Sequence, residues 1–461
     1  MSRLVVVSNR VTKVQQGGAQ AGGLAVGLLG ALEEMGGLWF GWSGNVTEDP
    51  SDEPHLSTSG GIAYAILDLS PKDYDEYYNG FSNSMLWPLF HYRQDLMEFH
   101  LSSYQGYRRA NARFARALKG LLEPDDLVWV HDYHLIPLAE ELRRLGVRNK
   151  IGFFLHTPFP SHQVMVVLPQ HREIVAALSA YDVVGFQSSI DLRTFSHYIR
   201  FETSGVFLED RHLIRAFRHT FHADKFPIGI DTENIEAMAK SPDNAVRVDR
   251  LVRSLRGREL IIGVDRLDYS KGIVQRLHAF ELLLSRNPDW HNKVVLLQIA
   301  PPTREDVAHY AEIRHLLETE AGRINGEYAE YDWAPIRYLN RGFTRETLSG
   351  FFRQASIGLV TPLRDGMNLV AKEYVAAQNP TDPGVLVLSR FAGAAEQLTN
   401  ALIVNPYDEE QVAATLGRAL EMSLTERRGR WRATMDVIRR QDIVAWRRNF
   451  LRVLDRAPFT A

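Results

Sequence analysis

Residues 357–373 read Ile357-Gly-Leu-Val-Thr-Pro-Leu-Arg-Asp365-Gly366-Met367-Asn368-Leu369-Val370-Ala371-Lys372-Glu373. The run up to Thr361 is continuously apolar, not alternating, as a strand covered on both faces should be. Pro362 and Gly366 then break the chain, and a helical pattern follows, capped by Asp365 or Asn368. Strand, polar turn and helix in succession are the unit of a parallel, doubly wound α/β sheet.

The same unit recurs in both directions. Apolar runs lie at Leu4–Val7, Leu127–Val130, Ile151–Leu155, Val183–Phe186, Leu260–Val264, Val294–Ile299 and Gly384–Leu388. Helical patterns fall between them, for example Tyr107–Leu122, Ile273–Arg286 and Arg304–Ala321. These strands are too many for one comfortable sheet, so two α/β domains are expected. The pattern is interrupted at Phe226-Pro-Ile-Gly-Ile-Asp231. The expected division is therefore 1–229, 230–440, and a last helical segment, 441–461, that crosses back to the first domain. In that segment Trp446, Phe450 and Leu454 share one helical face. Ten Arg and four acidic residues lie between Thr425 and Arg456. A solvated helix packed by its aromatics accounts for them better than a nucleic-acid patch does.

The composition of the 461 residues is ordinary for a globular chain: 45% hydrophobic, 24% charged, 53 basic against 56 acidic residues, net charge −3. Such a balance excludes disordered, collagen-like and coiled-coil chains and gives no global field for nucleic acid or membrane. There is no Cys, so disulfides, thiolate zinc sites, iron–sulfur clusters and thiol nucleophiles are excluded. The longest apolar stretch, Leu24–Leu32, falls far short of the roughly 20 residues a membrane span needs. The apolar run after Arg3 is too short for a signal peptide. A cytoplasmic protein without nucleic-acid or membrane partners is expected. Only nine of the basic residues are Lys against 44 Arg, so a Lys at a strand end stands out.

Ligands of doubly wound sheets bind beyond the carboxyl ends of the strands. After Val7 come Ser8, Asn9 and Arg10. A polar, Gly-containing loop then leads to Gly22 and Gly23, which open a helix. Paired Gly there admit a phosphate to backbone N–H groups, or serve close packing through Gly23, Gly27 and Gly30. After Val130 comes His131-Asp132-Tyr133-His134, and after Leu155 comes His156-Thr-Pro. Hydrogen bonding to a polyol suits an Asp and a His at adjacent strand ends. Buried, satisfied imidazoles are the alternative, above all for His131 and His134. No further carboxylate cluster joins them, so no metal site is expected. After Val264, Arg266 and Lys271 suit a two-cation clamp on a diphosphate. An ion pair with Asp265 or Asp268 is the alternative there. The absence of GxxxxGK[ST] argues against a P-loop and ATP hydrolysis. Arg304 opens a helix, where a cation opposes the dipole and a nearby anion would account for it. In the 357–373 segment, the N–H groups of Asn368, Leu369 and Val370 face the same cleft as Arg266 and Lys271. Glu373 lies one turn further in, within reach of a ribose diol, and Asp365 lies at the sugar end.

With these motifs in place, the chain resembles the trehalose-6-phosphate synthases, retaining glycosyltransferases of the two-domain GT-B architecture. The resemblance runs nearly end to end. It rests on Leu4–Arg10, Ala21–Leu24, Leu38–Gly44, Asp75–Tyr78, Asn83–His91, Val130–His134, His156–Pro160, Asp265–Gly272 and Thr361–Glu373. It implies two Rossmann-like domains facing a central cleft. It also implies transfer of glucose from UDP-glucose to glucose 6-phosphate, with no cofactor and no metal, in a homodimer or homotetramer. By carry-over, Arg10, Tyr78, Trp87, Asp132 and Arg304 match acceptor positions. Gly22, Gly23, Arg266, Lys271, Phe343, Asp365, Gly366, Met367, Asn368, Leu369, Val370 and Glu373 match donor positions. His156 matches the residue that contacts the donor glucose. The residues expected to carry the chemistry are Asp132, His156, Arg266, Lys271 and Asp365.

Two segments depart from the family pattern. His162 and Gln163 stand where Glu is common, and the loop Val11–Ala21 is the chain's own. Glucosylglycerol-phosphate synthase, with ADP-glucose and glycerol 3-phosphate, is the rival within the clan. Tyr78 and Trp87 favour a sugar ring over glycerol. A non-catalytic sugar-phosphate sensor would have lost the clamp, whereas Arg266, Lys271, Asp365 and Glu373 are present. An epimerase on the same fold would need no acceptor phosphate site. The donor nucleotide stays open at this point.

Overall fold

The structure, a computed structural model, describes residues 2–11, 23–208, 212–303 and 308–458. These fall into two compact units. The first holds the described residues up to Ile228 together with 444–458, and the second holds 229–443.

The first unit is built on ten strands: β1 (Leu4–Arg10), β2 (Gly37–Val46), β3 (His55–Ser59), β4 (Ile62–Leu69), β5 (Leu127–His131), β6 (Lys150–Phe154), β7 (Val183–Phe186), β8 (Val206–Phe207), β9 (Leu213–Ala216) and β10 (His219–Lys225). Their order is β3-β4-β2-β1-β5-β6-β7-β10-β9-β8. The pairs from β4 through β10 are parallel, and β3, β9 and β8 add antiparallel edges. Leu4–Val7 is wholly buried, as its unbroken apolar run requires.

Six of these strands lie outside the apolar runs read from the sequence. In β2, glycines and tryptophans replace β-branched residues. Gly41 is needed there, because a Cβ would stand 2.0 Å from the Ser8 carbonyl oxygen on β1. The β9–β10 hairpin is rich in His and polar residues, as an edge tolerates.

The second unit has six strands, all parallel: β11 (Glu259–Val264), β12 (Val294–Ile299), β13 (Ile336–Leu339), β14 (Ile357–Val360), β15 (Val385–Ser389) and β16 (Leu402–Val404). Their order is β13-β12-β11-β14-β15-β16. Helix Ile273–Arg286 falls on the predicted residues, and the helix expected to end at Ala321 runs on to Tyr328.

Strand order reverses between β1 and β5 in the first unit and between β11 and β14 in the second. Crevices at such switch points are where open α/β sheets bind ligands. Of the residues singled out from the sequence, Arg10 and Asp132 lie at the carboxyl ends of β1 and β5, and Arg266, Lys271 and Asp365 to Val370 follow β11 and β14.

The last helix, Ile443–Arg456, starts two residues later than the expected segment and packs on the first unit's sheet. Trp446 and Phe450 each lie 4.8 Å, ring to ring, from Trp129. Phe450 fills the space left by Gly152 and Gly185, where a Cβ would come within 2.7 and 2.8 Å of its ring. On its outer side, Arg447 and Arg448 pair with Glu34. Among the described residues, no helix is long and apolar enough to cross a membrane.

Candidate active site

In the first unit, β5 ends at His131, and Asp132 turns the chain out of the sheet at φ 75° and ψ 166°. That backbone region is essentially reserved for Gly and costs a non-Gly residue of order 1–3 kcal/mol. Neighbouring bonds hold it. The Asp132 amide donates to the Phe154 carbonyl at 2.9 Å, and the Leu135 amide donates to the Asp132 carbonyl at 3.1 Å. Asp132 Oδ1 accepts the His156 amide at 3.2 Å, tying the ends of β5 and β6 together.

The His156 ring has both nitrogens engaged: Nε2 with His131 Nδ1 at 3.1 Å, Nδ1 with Gln187 Nε2 at 3.4 Å. Burial pulls the His156 ring down to about 3. Burial, with His156 beside it, holds His131 well below the usual imidazole range. Both rings are neutral at physiological pH. His131 and His134 are buried, 1% and 8% exposed, and His131 Nε2 has no hydrogen-bond partner among the described residues.

An aromatic wall stands beside this turn. Tyr78 lies on a π-helical stretch, Tyr74–Leu86, a conformation found often at functional sites. Its ring stacks on His134 (5.9 Å, 14° between planes) and lies 5.2 Å from Trp42. Arg10, exposed at the end of β1, lies over Trp42 at 5.9 Å. Trp87 is buried against Tyr133 at 5.7 Å and supports the wall from behind. The structure thus brings Arg10, Tyr78, Trp87, Asp132 and His156 to one end of one sheet. Gly22, Arg304 and nearly all of the Val11–Ala21 loop lie outside the described residues; Gly23 opens the helix Gly23–Met35. The departing residue His162 is fixed locally, 2.9 Å from Glu202.

In the second unit, Arg266 is exposed just beyond β11, and Lys271 is buried on the following turn. Lys271 Nζ donates to Asp365 Oδ2 at 2.6 Å, and Asn368 Nδ2 donates to the same oxygen at 3.1 Å. The Leu363 amide donates to the Ser270 carbonyl at 2.8 Å, joining the loops after β11 and β14. Of the two carboxylates weighed as alternative partners, Asp265 pairs with a different cation. Asp265 Oδ2 accepts from Arg276 Nη1 at 2.7 Å, while Asp268 caps its own turn through Ser270 and accepts from Tyr310.

The helix after β14 is capped by Asn368, φ 74°, through the Ala371 amide, and not by Asp365. Its first-turn amides at Leu369 and Val370 have no acceptor within the helix, which suits an anion. Gly366 and Met367 lie against the next loop, with the Ala394 amide donating to the Met367 carbonyl at 2.8 Å. A Cβ on Gly393 would meet the Gly366 carbonyl oxygen at 1.9 Å. Glu373 pairs with Arg345 at 3.0 Å, and Phe343, just before the helix Arg345–Gln354, packs on Phe351 at 5.6 Å. Burial raises the Glu373 carboxyl, against the pull of Arg345.

Sequence reading missed two supports. Arg276 is fully buried and binds Asp265, Gln298 and Thr361, which locks β11, β12 and β14 beneath the clamp. Its signal was a charge on the apolar face of Ile273–Arg286, three residues after Ile273. The other is Arg345, which orients Glu373 and had no local signal.

Two units with doubly wound, largely parallel sheets, each with polar residues gathered at a switch point, are the two-domain architecture of the GT-B class. The sequence profile described as "Glycosyltransferase family 20" matches residues 2–456. The chain belongs to glycosyltransferase family 20. A curated relative from Klebsiella pneumoniae, named trehalose-6-phosphate synthase, is 51% identical over 451 residues, covering 98% of this chain and 94% of that one. A UDP-forming α,α-trehalose-phosphate synthase from Burkholderia xenovorans in complex with glucose 6-phosphate superposes with TM-score 0.95 at 51% identity, covering 98% and 100% of the two chains. The E. coli protein bound with UDP-2-fluoro glucose gives TM-score 0.94 at 49% identity, covering 99% of each.

Proposed function

We propose that this enzyme transfers glucose from UDP-glucose to glucose 6-phosphate with retention, giving α,α-trehalose 6-phosphate and UDP. The observation that carries the reading is the clamp at the β11/β14 switch point: Lys271 held by Asp365, with exposed Arg266 and a helix N-terminus beside it. As the bond from the anomeric carbon to the diphosphate breaks, negative charge gathers on the leaving oxygen. Fixed cations and amides stabilise it where it forms. Arg266 and Lys271 thereby take the charge-neutralising role that a metal ion plays in other transferases.

On the first unit, Arg10 is assigned to the acceptor phosphate, Tyr78 to the sugar face and Asp132 to its hydroxyls. Trp87 backs them. Arg304, which belongs to the second unit and lies outside the described residues, is assigned to the same phosphate. His156, neutral and held at both nitrogens, acts as a positioning group for the donor glucose. On the second unit, Glu373, oriented by Arg345, is assigned to the ribose diol, and Phe343 with residues 366–370 to the nucleotide and diphosphate. In the front-face course favoured here, the new bond forms on the face the diphosphate leaves. The acceptor's hydroxyl proton passes to the departing phosphate oxygen, so no protein nucleophile is consumed.

The test is nucleotide release from UDP-, ADP- and GDP-glucose with glucose 6-phosphate or glycerol 3-phosphate as acceptor. Fastest release from UDP-glucose with glucose 6-phosphate is expected. Faster turnover with glycerol 3-phosphate would replace the acceptor assignment.

A further inference from the structure

At the open end of the β9–β10 hairpin, three side chains with metal-ligating atoms converge. His222 and Asp224 are two residues apart on β10, so strand alternation sends them to one face. His212 stands directly before β9, and its carbonyl accepts the Ala223 amide at 2.7 Å, which fixes it beside the other two. One ligand atom from each lies within 4.8 Å of the others, and all three residues are half-buried. His212 Nδ1 is 3.3 Å from Asp224 Oδ1, and His222 Nε2 is 3.9 Å from Asp224 Oδ2. The two imidazoles are near parallel, with planes 19° apart and centroids at 5.6 Å.

A plain Asp–His hydrogen bond is the competing explanation. Its N···O separation would be about 2.7–3.2 Å; His212 stands at the long edge of that range, and His222 Nε2, at 3.9 Å, stands beyond it. Two ligands on one tetrahedral ion, each bonded at about 2.0–2.1 Å, stand roughly 3.4 Å apart, close to the spacing found. Two imidazoles and one carboxylate suit a borderline ion such as Zn²⁺. Mg²⁺ and Ca²⁺ favour all-oxygen shells.

We propose that His212, His222 and Asp224 form a zinc-binding site that staples the β9–β10 edge of the first unit. In the sheet, β6 and β7 separate this edge from β5 and the acceptor residues. The ion therefore braces the sheet and takes no part in glucosyl transfer.

The test uses full-length protein stripped with a chelator. It is titrated with Co²⁺, followed by the visible d–d band, and then with Zn²⁺. An intense band saturating at a single equivalent, displaced by Zn²⁺, is expected, together with a higher melting temperature in zinc. His222→Ala and Asp224→Asn should abolish the band and the zinc-induced shift while melting like the stripped wild type. His212→Gln, at the most exposed ligand, provides the same readout should either variant fail to fold. His278→Ala should keep both signals, because the His278 nitrogens face two different carboxylates, Glu320 and Glu409. A weak, featureless Co²⁺ spectrum, or zinc binding unchanged in Asp224→Asn, overturns the proposal.

Discussion

Lys271 carries the heaviest chemical assignment of any single residue. It is 7% exposed and bonded to Asp365; in the proposed role, removing its charge takes a stabilising cation from the leaving group as well as stranding a carboxylate. Lys271→Met should lower kcat by about 10²–10³-fold, the usual effect of losing one such group. Steady-state UDP release measures it, and a KM-only effect would contradict the assignment. Asp132 supplies the opposite test. Its backbone strain costs of order 1–3 kcal/mol, and Gly relieves it at an entropic cost of about 0.5–1 kcal/mol. Asp132→Gly also loses the bond to the His156 amide, so it should be more stable than Asp132→Ala, which loses that bond and keeps the strain, by about 1 kcal/mol in urea denaturation, with activity lost in both. Equal stability of the two variants would show that the turn is not strained.

His156 gives a pH signature. Its folded-state value is about 3, against about 6.5 for the unfolded chain, so the unfolded state binds more protons between the two. Stability should fall as pH drops from about 6.5 towards 3, with His131 acting in the same direction. Urea midpoints measured across that window for wild type and His156→Asn should show a shallower slope in the variant. Equal slopes would mean that His156 does not titrate as described.

Among the elements, the two switch points decide the architecture, and they were legible because β1, β5, β11 and β14 are unbroken apolar runs with polar residues directly after them. Strand β2 was not legible, since Gly and Trp take the place of a β-branched run, while β4 carries an apolar run, Ile62–Leu67, that the sequence reading passed over. The π-helical stretch Tyr74–Leu86 was also silent, because its polar, mixed sequence marks no separate period. Lys271 stood out against an Arg background, but its partner Asp365 is 94 residues away and no local pattern links them. Arg276 could have been read, as a charge on an apolar face. Its bonds to Asp265, Gln298 and Thr361 hold three strands at the clamp. Arg276→Met leaves Asp265 buried and unpaired, so chemical denaturation should show a loss of about 3–5 kcal/mol. A change below about 1 kcal/mol would show that Asp265 is neutralised without it. Phe450→Ala should cost a similar amount, about 3–5 kcal/mol, through the cavity left over Gly152 and Gly185.

For the whole molecule, the near-neutral balance of 53 basic and 56 acidic residues conceals local concentrations of charge. Arg10 stands at one switch point, with Arg266 and Lys271 at the other, which suits two phosphorylated substrates without a strongly charged surface. The absence of Cys fits a transfer that rests on cations and backbone amides. The central claim is retention onto glucose 6-phosphate. The most direct measurement is proton NMR of the product formed from UDP-glucose and glucose 6-phosphate, reading the coupling at both anomeric positions alongside UDP release. Two small, axial–equatorial couplings of an α,α-linked disaccharide phosphate, formed only when both substrates are present, are expected. A β-linked product, or UDP released without any disaccharide, would contradict it.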